Sequence, residues 1–580
     1  MSEFESFMAR LGDHAARVPG RVALVFRDGR GEEESHTYRE LWSAARSAGA
    51  WLAERVRPGE RVLLSYPSGT EFVTAFLGCL YAGAVAVPAP VPDAYRQHHD
   101  RITAVCGDAA PSLILTDEAH LDAVTGWVRE AGLGVEVTVA GRAEPGEPAP
   151  VTPESLAFLQ YTSGSTSEAK GVMVGHGNLV DNILVGRRLL DLDEGARFCS
   201  WLPVYHDMGL VAMILLPLHL GGTAVLMSPT TFLRRPWTWL EAIAEHGAEV
   251  SAAPDFAYDL CARRVTDEQI RGLDLSGWRH ACNGAEPVDA GTLARFADRF
   301  AAAGLKPESL TAGYGMAEAT LFISGTAPGH APVVTKVGAA ALERDVLEPD
   351  PAGRPLVSCG RPRALDVRIV DPATGAELPE GRVGEIWVRG DGVARGYWRR
   401  EAETRRCFGA TTAAGEPGFL RTGDLGARLD GELYVTGRIK DMMIVHGRNL
   451  YPHDVERALT GLSPATEGLP SCVFSVAAPR EELVVVQEVR SRAVPGQALS
   501  VLAGEIRSAL GRRLGVSVAN VCFVRPGGIR RTTSGKIRRP AMKKLFVAGL
   551  LGATHEDLSP GVIAHYRTPG AAGELQEGGS

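Results

Sequence analysis

Short apolar runs alternating with helical stretches over the first eighty residues constrain this chain more than any other feature. Val22 to Phe26 and Arg61 to Ser65 read as strands. Phe4 to Arg17, Tyr38 to Val56 behind a Thr37 cap, and Glu71 to Tyr81 read as helices. The runs lack the strict apolar–polar alternation of a sheet with one wet face, so both faces are expected to be covered, as in a largely parallel sheet between helices. At 580 residues one core cannot serve the whole chain, and usual domain sizes give roughly three to four. The expected fold class is α/β, with a large N-terminal domain of several parallel-rich sheets and helices over residues 1–440. Beyond it the rhythm changes: helix at Asp454–Leu459, strands near 471–476 and 482–489, helix 499–514, strand 519–524. That is a small α+β unit, assigned to 441–550. Residues 551–580 are expected to be a tail, partly disordered, with Gly, Ala and Glu prominent after about 565.

Leu210 to Met227 is apolar apart from His219 and Thr223, but Pro217 and Gly221-Gly222 divide it into a short helix, a turn and a strand. A buried pair is expected rather than a membrane span. The first twenty residues carry no basic start followed by an apolar stretch, so no signal peptide is expected. The net charge of -8 argues against nucleic acid or an anionic membrane surface as partner. Nine cysteines without a Cys-x-x-Cys pair fit a reducing cytoplasm.

The chemistry is most legible between Leu156–Tyr161, which reads as a strand, and Lys170. Thr162, Ser163, Gly164, Ser165 and Thr166 are five small residues that leave backbone N–H groups uncovered and add hydroxyl donors. Lys170 then supplies a cation, and the whole suits an oligophosphate. The same residues also suit a solvated loop. The chain has only seven lysines, so one here is not casual, and the Walker pattern is absent. A Pro-rich connector, 142–153, precedes the strand.

Further along, His206-Asp207 stands among apolar residues, where it could be a buried hydrogen-bonded pair or part of a site. Ser251 to Tyr258 could line a slot or fill a core. Asn283-Gly-Ala285 and Tyr314-Gly315-Met316 are turns that let a flat ligand approach the backbone. Glu318 could hold a metal against phosphate, and Asp424 could accept both hydroxyls of a ribose. Gly535-Lys536 sits in a loop loaded with cations, which is equally the composition of a basic surface.

Taken together, from about residue 10 to 545, these motifs resemble the adenylate-forming superfamily of acyl-CoA synthetases, peptide-synthetase adenylation domains and luciferases. Within it they look like the fatty acyl-AMP ligases. The details are Leu202-Pro-Val-Tyr-His-Asp-Met-Gly-Leu210, Met227-Ser-Pro, Phe232-Leu-x-Arg-Pro-x-x-Trp239, Tyr314-Gly-Met-Ala-Glu-Ala-Thr320 and Gly447-Arg-Asn-x-Tyr-Pro452. The spacing from Glu318 to Gly360 is longer than is usual in acyl-CoA synthetases. The added segment, about 324–356, resembles the insertion thought to restrain the mobile C-terminal domain and to disfavour coenzyme A.

The resemblance implies ATP-dependent activation of a fatty acid with Mg²⁺, followed by acyl transfer to the phosphopantetheine of an acyl carrier protein or carrier domain in trans. It implies that Thr162–Thr166 and Lys170 hold phosphates, that Glu318 binds the metal, and that Asn283, Gly284, Ala285, Tyr314, Gly315 and Met316 border the adenine. It further implies that Asp424 with Arg438 holds the ribose, that Lys536 is catalytic, and that Lys440 is the hinge. By the same resemblance His206 joins Lys536 as catalytic and gates an acyl pocket that includes Met227, Ser251, Pro254 and Phe256. An acyl-CoA synthetase and a weakly catalytic regulatory protein share much of this pattern. Two departures stand out: Glu168 beside the phosphates, and Asp255 where related ligases usually have asparagine.

Overall fold

The computed structural model describes residues 4–92, 96–161, 169–445, 448–478, 480–490, 496–514, 516–531 and 536–567. Two parallel-rich sheets carry most of the N-terminal part. The larger has eight strands, in the order Phe322–Gly325, Leu310–Gly315, His280–Asn283, Val250–Ala253, Arg197–Ser200, Thr223–Met227, Val22–Arg27 and Glu33–Thr37. Its interior pairs are parallel and its two outermost pairs antiparallel. The second has six, in the order Glu136–Val139, Leu113–Thr116, Arg61–Ser65, Val85–Ala89, Leu156–Tyr161 and Gly171–Gly175. Val62 there is paired with Ala86 on one side and Leu113 on the other, and all three are buried, which is why these strands read as unbroken apolar runs.

Helix Tyr38–Ala53 begins at a reciprocal cap: the Thr37 hydroxyl accepts from the Glu40 N–H at 3.3 Å while the Thr37 N–H donates to the Glu40 carboxylate at 2.8 Å. The first helix starts at Phe7 rather than Phe4, because Ser6 caps it. One apolar cluster joins the two sheets through the helices between them. In it Trp239 meets Tyr258 and Trp278 edge-on at 5.7 and 5.4 Å between ring centres, and Tyr258 meets Phe296 at 4.9 Å. Burying each such side chain contributes roughly 1.5–3 kcal/mol. The Leu210–Met227 stretch opens in a π-helical segment, Met208–Leu215, turns at Leu216–His219 and becomes strand Thr223–Met227 inside the larger sheet. Among the described residues no helix is long and apolar enough to cross a membrane.

A third sheet, wholly antiparallel, joins Asp366–Val370, Gly384–Arg389, Leu420–Leu429 and Glu432–Arg438. The expected insertion, 324–356, folds as a hairpin of Val334–Val337 with Arg354–Val357 around a helical turn, Ala339–Leu342. Its Val337, Leu342 and Leu356 pack with Leu425, Tyr434 and Tyr451. Arg354 forms an ion pair with Asp454 on helix Pro452–Ala458.

The C-terminal sheet orders Ser471–Ala477, Glu481–Glu488, Asn520–Val524 and His555–Asp557. One face packs Val473, Val485 and Phe523 against Val455 and the helix Gly496–Leu514; the other packs Phe474, Val486 and Cys522 against Met542, Phe546 and Val562. This corrects the start of the expected tail. Residues 551–567 belong to the small unit: His555 pairs with Phe523, Asp557 with Val521, and helix Pro560–Tyr566 buries Val562. A three-residue strand of His, Glu and Asp offers no apolar pattern to read. The rest of that tail, 568–580, lies outside the described residues.

Candidate active site

A cavity of about 1050 Å³ lies where strands of the larger sheet end, with the antiparallel sheet and the small C-terminal unit closing it. Asn283, Tyr314 and Gly315 each stand at the C-terminal end of a strand, so adjacent strands deliver adjacent wall residues. Asp424 and Arg438 come from one paired position of the antiparallel sheet.

Tyr314 and Arg438 both hold Asp424. The Tyr314 hydroxyl donates to Oδ2 at 2.8 Å, and Arg438 Nε lies 2.8 Å from Oδ1. Arg438 is half-exposed and its pKa is pushed up, first by the Asp424 charge. Asn283 is fully buried; its Nδ2 donates to Asp255 at 2.8 Å, while its Oδ1 faces no donor among the described residues. A buried carbonyl without a donor calls for one, and an exocyclic amine on a flat base would supply it. Gly315 cannot carry a side chain, since a Cβ would lie 2.1 Å from the Leu321 carbonyl oxygen. Ala285 sits at φ +66°, a left-handed turn that few residues other than glycine adopt.

Lys536 reaches the same cavity from the small unit. Burial and then Arg438 lower its pKa, while Asp207, Glu286 and Asp424 oppose that shift. His206 Nδ1 lies 2.6 Å from Asp207 Oδ1. Burial works against the Asp207 carboxylate, but His206, Lys536 and the Met208 N–H together hold its pKa below the usual range. Glu286 accepts from the Phe256 N–H at 2.9 Å, and its pKa is raised by burial.

Glu318 also lines the cavity, with its pKa raised by burial; one oxygen accepts from the Tyr397 hydroxyl at 2.8 Å. Tyr397, which no sequence pattern marked, connects two expected residues. Its ring lies 5.7 Å from Lys170 Nζ, and Lys170 in turn bonds Glu403 at 2.7 Å.

The wall thus includes His206, Asn283, Gly284, Ala285, Tyr314, Gly315, Met316, Glu318, Asp424, Arg438, Lys536 and Phe256. Three expected pocket residues are elsewhere. Met227 and Pro254 are absent from the wall, and Ser251 is fully buried, donating to the Cys199 carbonyl at 2.5 Å and accepting from Trp239 Nε1 at 2.8 Å. The apolar arm of the cavity is built instead by Leu189, Met208, Ala212, Met213, Leu321 and Phe322. Lys170 stands off the wall against Glu403, and Lys440 is exposed. The loop Thr162, Ser163, Gly164, Ser165 and Thr166, and Glu168 with it, lie outside the described residues.

The profile of AMP-binding enzymes matches residues 11–398. The chain belongs to the AMP-binding enzyme family. It is an ATP-dependent, adenylate-forming ligase. It is 38% identical to the 4-hydroxyphenylalkanoate adenylyltransferase of Mycobacterium tuberculosis, over 94% of this chain and 92% of that one. Against the medium-chain-fatty-acid–[acyl-carrier-protein] ligase JamA of Moorena producens it is 38% identical, over 95% and 96% of the two chains. Its fold is similar to that of the fatty acyl-adenylate ligase of L. pneumophila solved with acyl adenylate and pyrophosphate, with a TM-score of 0.74, 34% identity and 96% and 98% of the chains covered.

Proposed function

We propose that this member of the AMP-binding enzymes is a fatty acyl-AMP ligase acting with an acyl carrier protein. The reading is carried by one observation: a single cavity has an apolar arm at Ala212, Met213 and Phe322 and a polar end that Lys536, Asp424, Tyr314 and Arg438 line together. A fatty carboxylate in the arm presents its head to a nucleotide bound at the polar end.

A carboxylate oxygen attacks the α-phosphorus of ATP, a P–O bond forms, and the bond to the β-phosphate oxygen breaks to release pyrophosphate. Two anions must meet, so positioning and charge neutralisation supply the rate. In this reading Lys536 stabilises the charge shared between carboxylate and α-phosphate. Asn283 receives the adenine amine, and Asp424, oriented by Tyr314 and Arg438, accepts the ribose hydroxyls. Among the described residues no group of three or more His, Cys, Asp or Glu could hold a metal. One carboxylate beside nucleotide phosphates is nonetheless the usual setting for Mg²⁺, so Glu318 fits that ion, which supplies charge neutralisation when bound.

Thiol attack on the acyl carbonyl then gives the thioester and AMP. For that step the small unit, 441–550 and the strand and helix after it, rotates about Lys440 and withdraws Lys536. Packing between the insertion and Tyr451 and the Arg354–Asp454 pair support a restrained unit and a carrier thiol in place of coenzyme A.

The test is fatty-acid-dependent ATP–pyrophosphate exchange across a ladder of chain lengths, with pantetheinylated carrier and coenzyme A supplied side by side. Lys536→Ala is expected to lose at least about a hundredfold in adenylation. Faster acyl-CoA than acyl-carrier formation refutes the acceptor, and no exchange with any fatty acid refutes the reaction.

A further inference from the structure

Helix Pro452–Ala458 of the small unit sends charged side chains to three different parts of the molecule. A helix turns by about 100° per residue, so Asp454 and Arg457 leave from neighbouring sides and Glu456 from another. Asp454 meets Arg354 of the insertion. Arg457 meets the large domain, its Nε lying 3.2 Å from Asp289 Oδ2. Glu456 turns back into the small unit and meets Arg539. Asp289, Glu456, Arg457 and Arg539 all border the cavity.

Both ends of this chain of contacts are firm. Asp289 caps helix Ala290–Phe300, its Oδ1 accepting from the Thr292 N–H at 2.8 Å. Its own N–H donates to Asp255 at 3.0 Å, and Asp255 also accepts from Asn283. Asp289 is therefore built into the wall that carries the turn assigned above to adenine. At the other end Arg539 Nε donates to Glu456 Oε1 at 2.9 Å while Nη2 donates to Oε2, a two-pronged pair with side chains only 22% and 11% exposed. Glu456 Oε1 also accepts from the Val473 N–H at 3.0 Å, on strand Ser471–Ala477. Arg539 opens helix Arg539–Val547, and Lys536 stands just ahead of it. Between the two, Ile537 bridges to Arg531 and the Arg538 N–H donates to the Arg530 carbonyl at 2.8 Å. A short, braced segment thus ties Lys536 to Glu456.

Given the adenylation proposed above, we propose that Arg457 and Glu456 are positioning residues for Lys536. Arg457 sets the helix against Asp289, Glu456 sets Arg539 against the helix, and the ammonium takes its place from both. Neither side chain touches the reacting atoms in this role; each acts through the lysine. Rotation of the small unit breaks the Arg457 contact and withdraws the cation in one movement.

The experiment is ATP–pyrophosphate exchange on Arg457→Gln, Arg457→Lys and Glu456→Gln, each made also in the Lys536→Ala background, with Tm followed in parallel. A displaced cation costs turnover more than binding. Arg457→Gln and Glu456→Gln are each expected to lower kcat about tenfold while KM for the fatty acid and for ATP moves less than about twofold. Arg457→Lys, whose ammonium can still reach Asp289, should return to within about threefold of the wild type. With Lys536 already removed, neither loss of charge should cost more than about a further twofold, because no cation is left to place. Equal losses with and without Lys536 would mean that the two residues only hold the fold together, and they refute the proposal. So does a kcat within about twofold of the wild type in Arg457→Gln. If Glu456→Gln unfolds the small unit, the two Arg457 variants decide the matter alone. If the wild-type protein shows no exchange with any fatty acid, the adenylation reading fails first and takes the positioning with it.

Discussion

Asp255 offers a sharp test of how this cavity is built. Its carboxyl is largely buried, and its pKa rises to about 7 from an ordinary 3.8, chiefly through burial, with Glu286 and Asp289 adding repulsion. The Asp289 N–H and Asn283 Nδ2 both bond Oδ1, at 3.0 and 2.8 Å, and oppose that rise. A pKa higher in the folded than in the unfolded chain means that the folded state favours the proton. Stability from this group is therefore complete below about pH 4 and is lost as pH rises to about 7. The full shift corresponds to roughly 4 kcal/mol at 1.36 kcal/mol per unit, and residual solvent contact brings the expectation nearer 2 kcal/mol. Asp255→Asn keeps the Oδ1 acceptor and removes the titration. The variant should match the wild type in Tm at pH 4.5 and exceed it by a few degrees at pH 8, read by calorimetry across that range. A constant difference between the two proteins at every pH refutes a protonated Asp255. A variant that is less stable at pH 8 shows that the charge is wanted there.

Three further outcomes follow from the same contacts. Tyr397→Phe removes the hydroxyl that orients Glu318, so the Mg²⁺ concentration for half-maximal adenylation should rise about tenfold while KM for the fatty acid holds; a rise in the fatty-acid KM alone counts against it. Arg354→Ala breaks the insertion's charged link to the small unit, which should cost about 2 kcal/mol of docking and enlarge the radius of gyration by X-ray scattering; an unchanged radius shows that apolar packing alone holds the unit. Gly315→Ala drives a Cβ against the Leu321 carbonyl and should cost about 1–3 kcal/mol with weakened nucleotide binding; wild-type affinity and Tm would exclude the close approach.

Much of the polar end was legible because turns that follow parallel strands carry glycine and one acid each, a composition with few other uses. Tyr314 and Asn283 declare themselves that way, whereas Asp424 stands beside Gly423 on an antiparallel strand. Tyr397 does not declare itself, since it sits in an ordinary surface-like run and gains its place only through tertiary packing. The acyl arm failed for a different reason. Ser251 and Met227 have the size of slot residues, yet each strand turns alternate residues to opposite faces, and the sequence does not say which face meets the cavity. Glu33–Thr37 and His555–Asp557 escaped notice as short polar strands at sheet edges, where solvent demands no apolar pattern.

The C-terminal sheet is clad in apolar side chains on both faces, one set from Gly496–Leu514 and the other from Arg539–Val547 and Pro560–Tyr566. A body cemented on both sides travels as a solid piece and carries Lys536 with it wherever it goes. Natural variation can accordingly resculpt the exterior of that piece for a new acceptor without disturbing the chamber where the acid is activated.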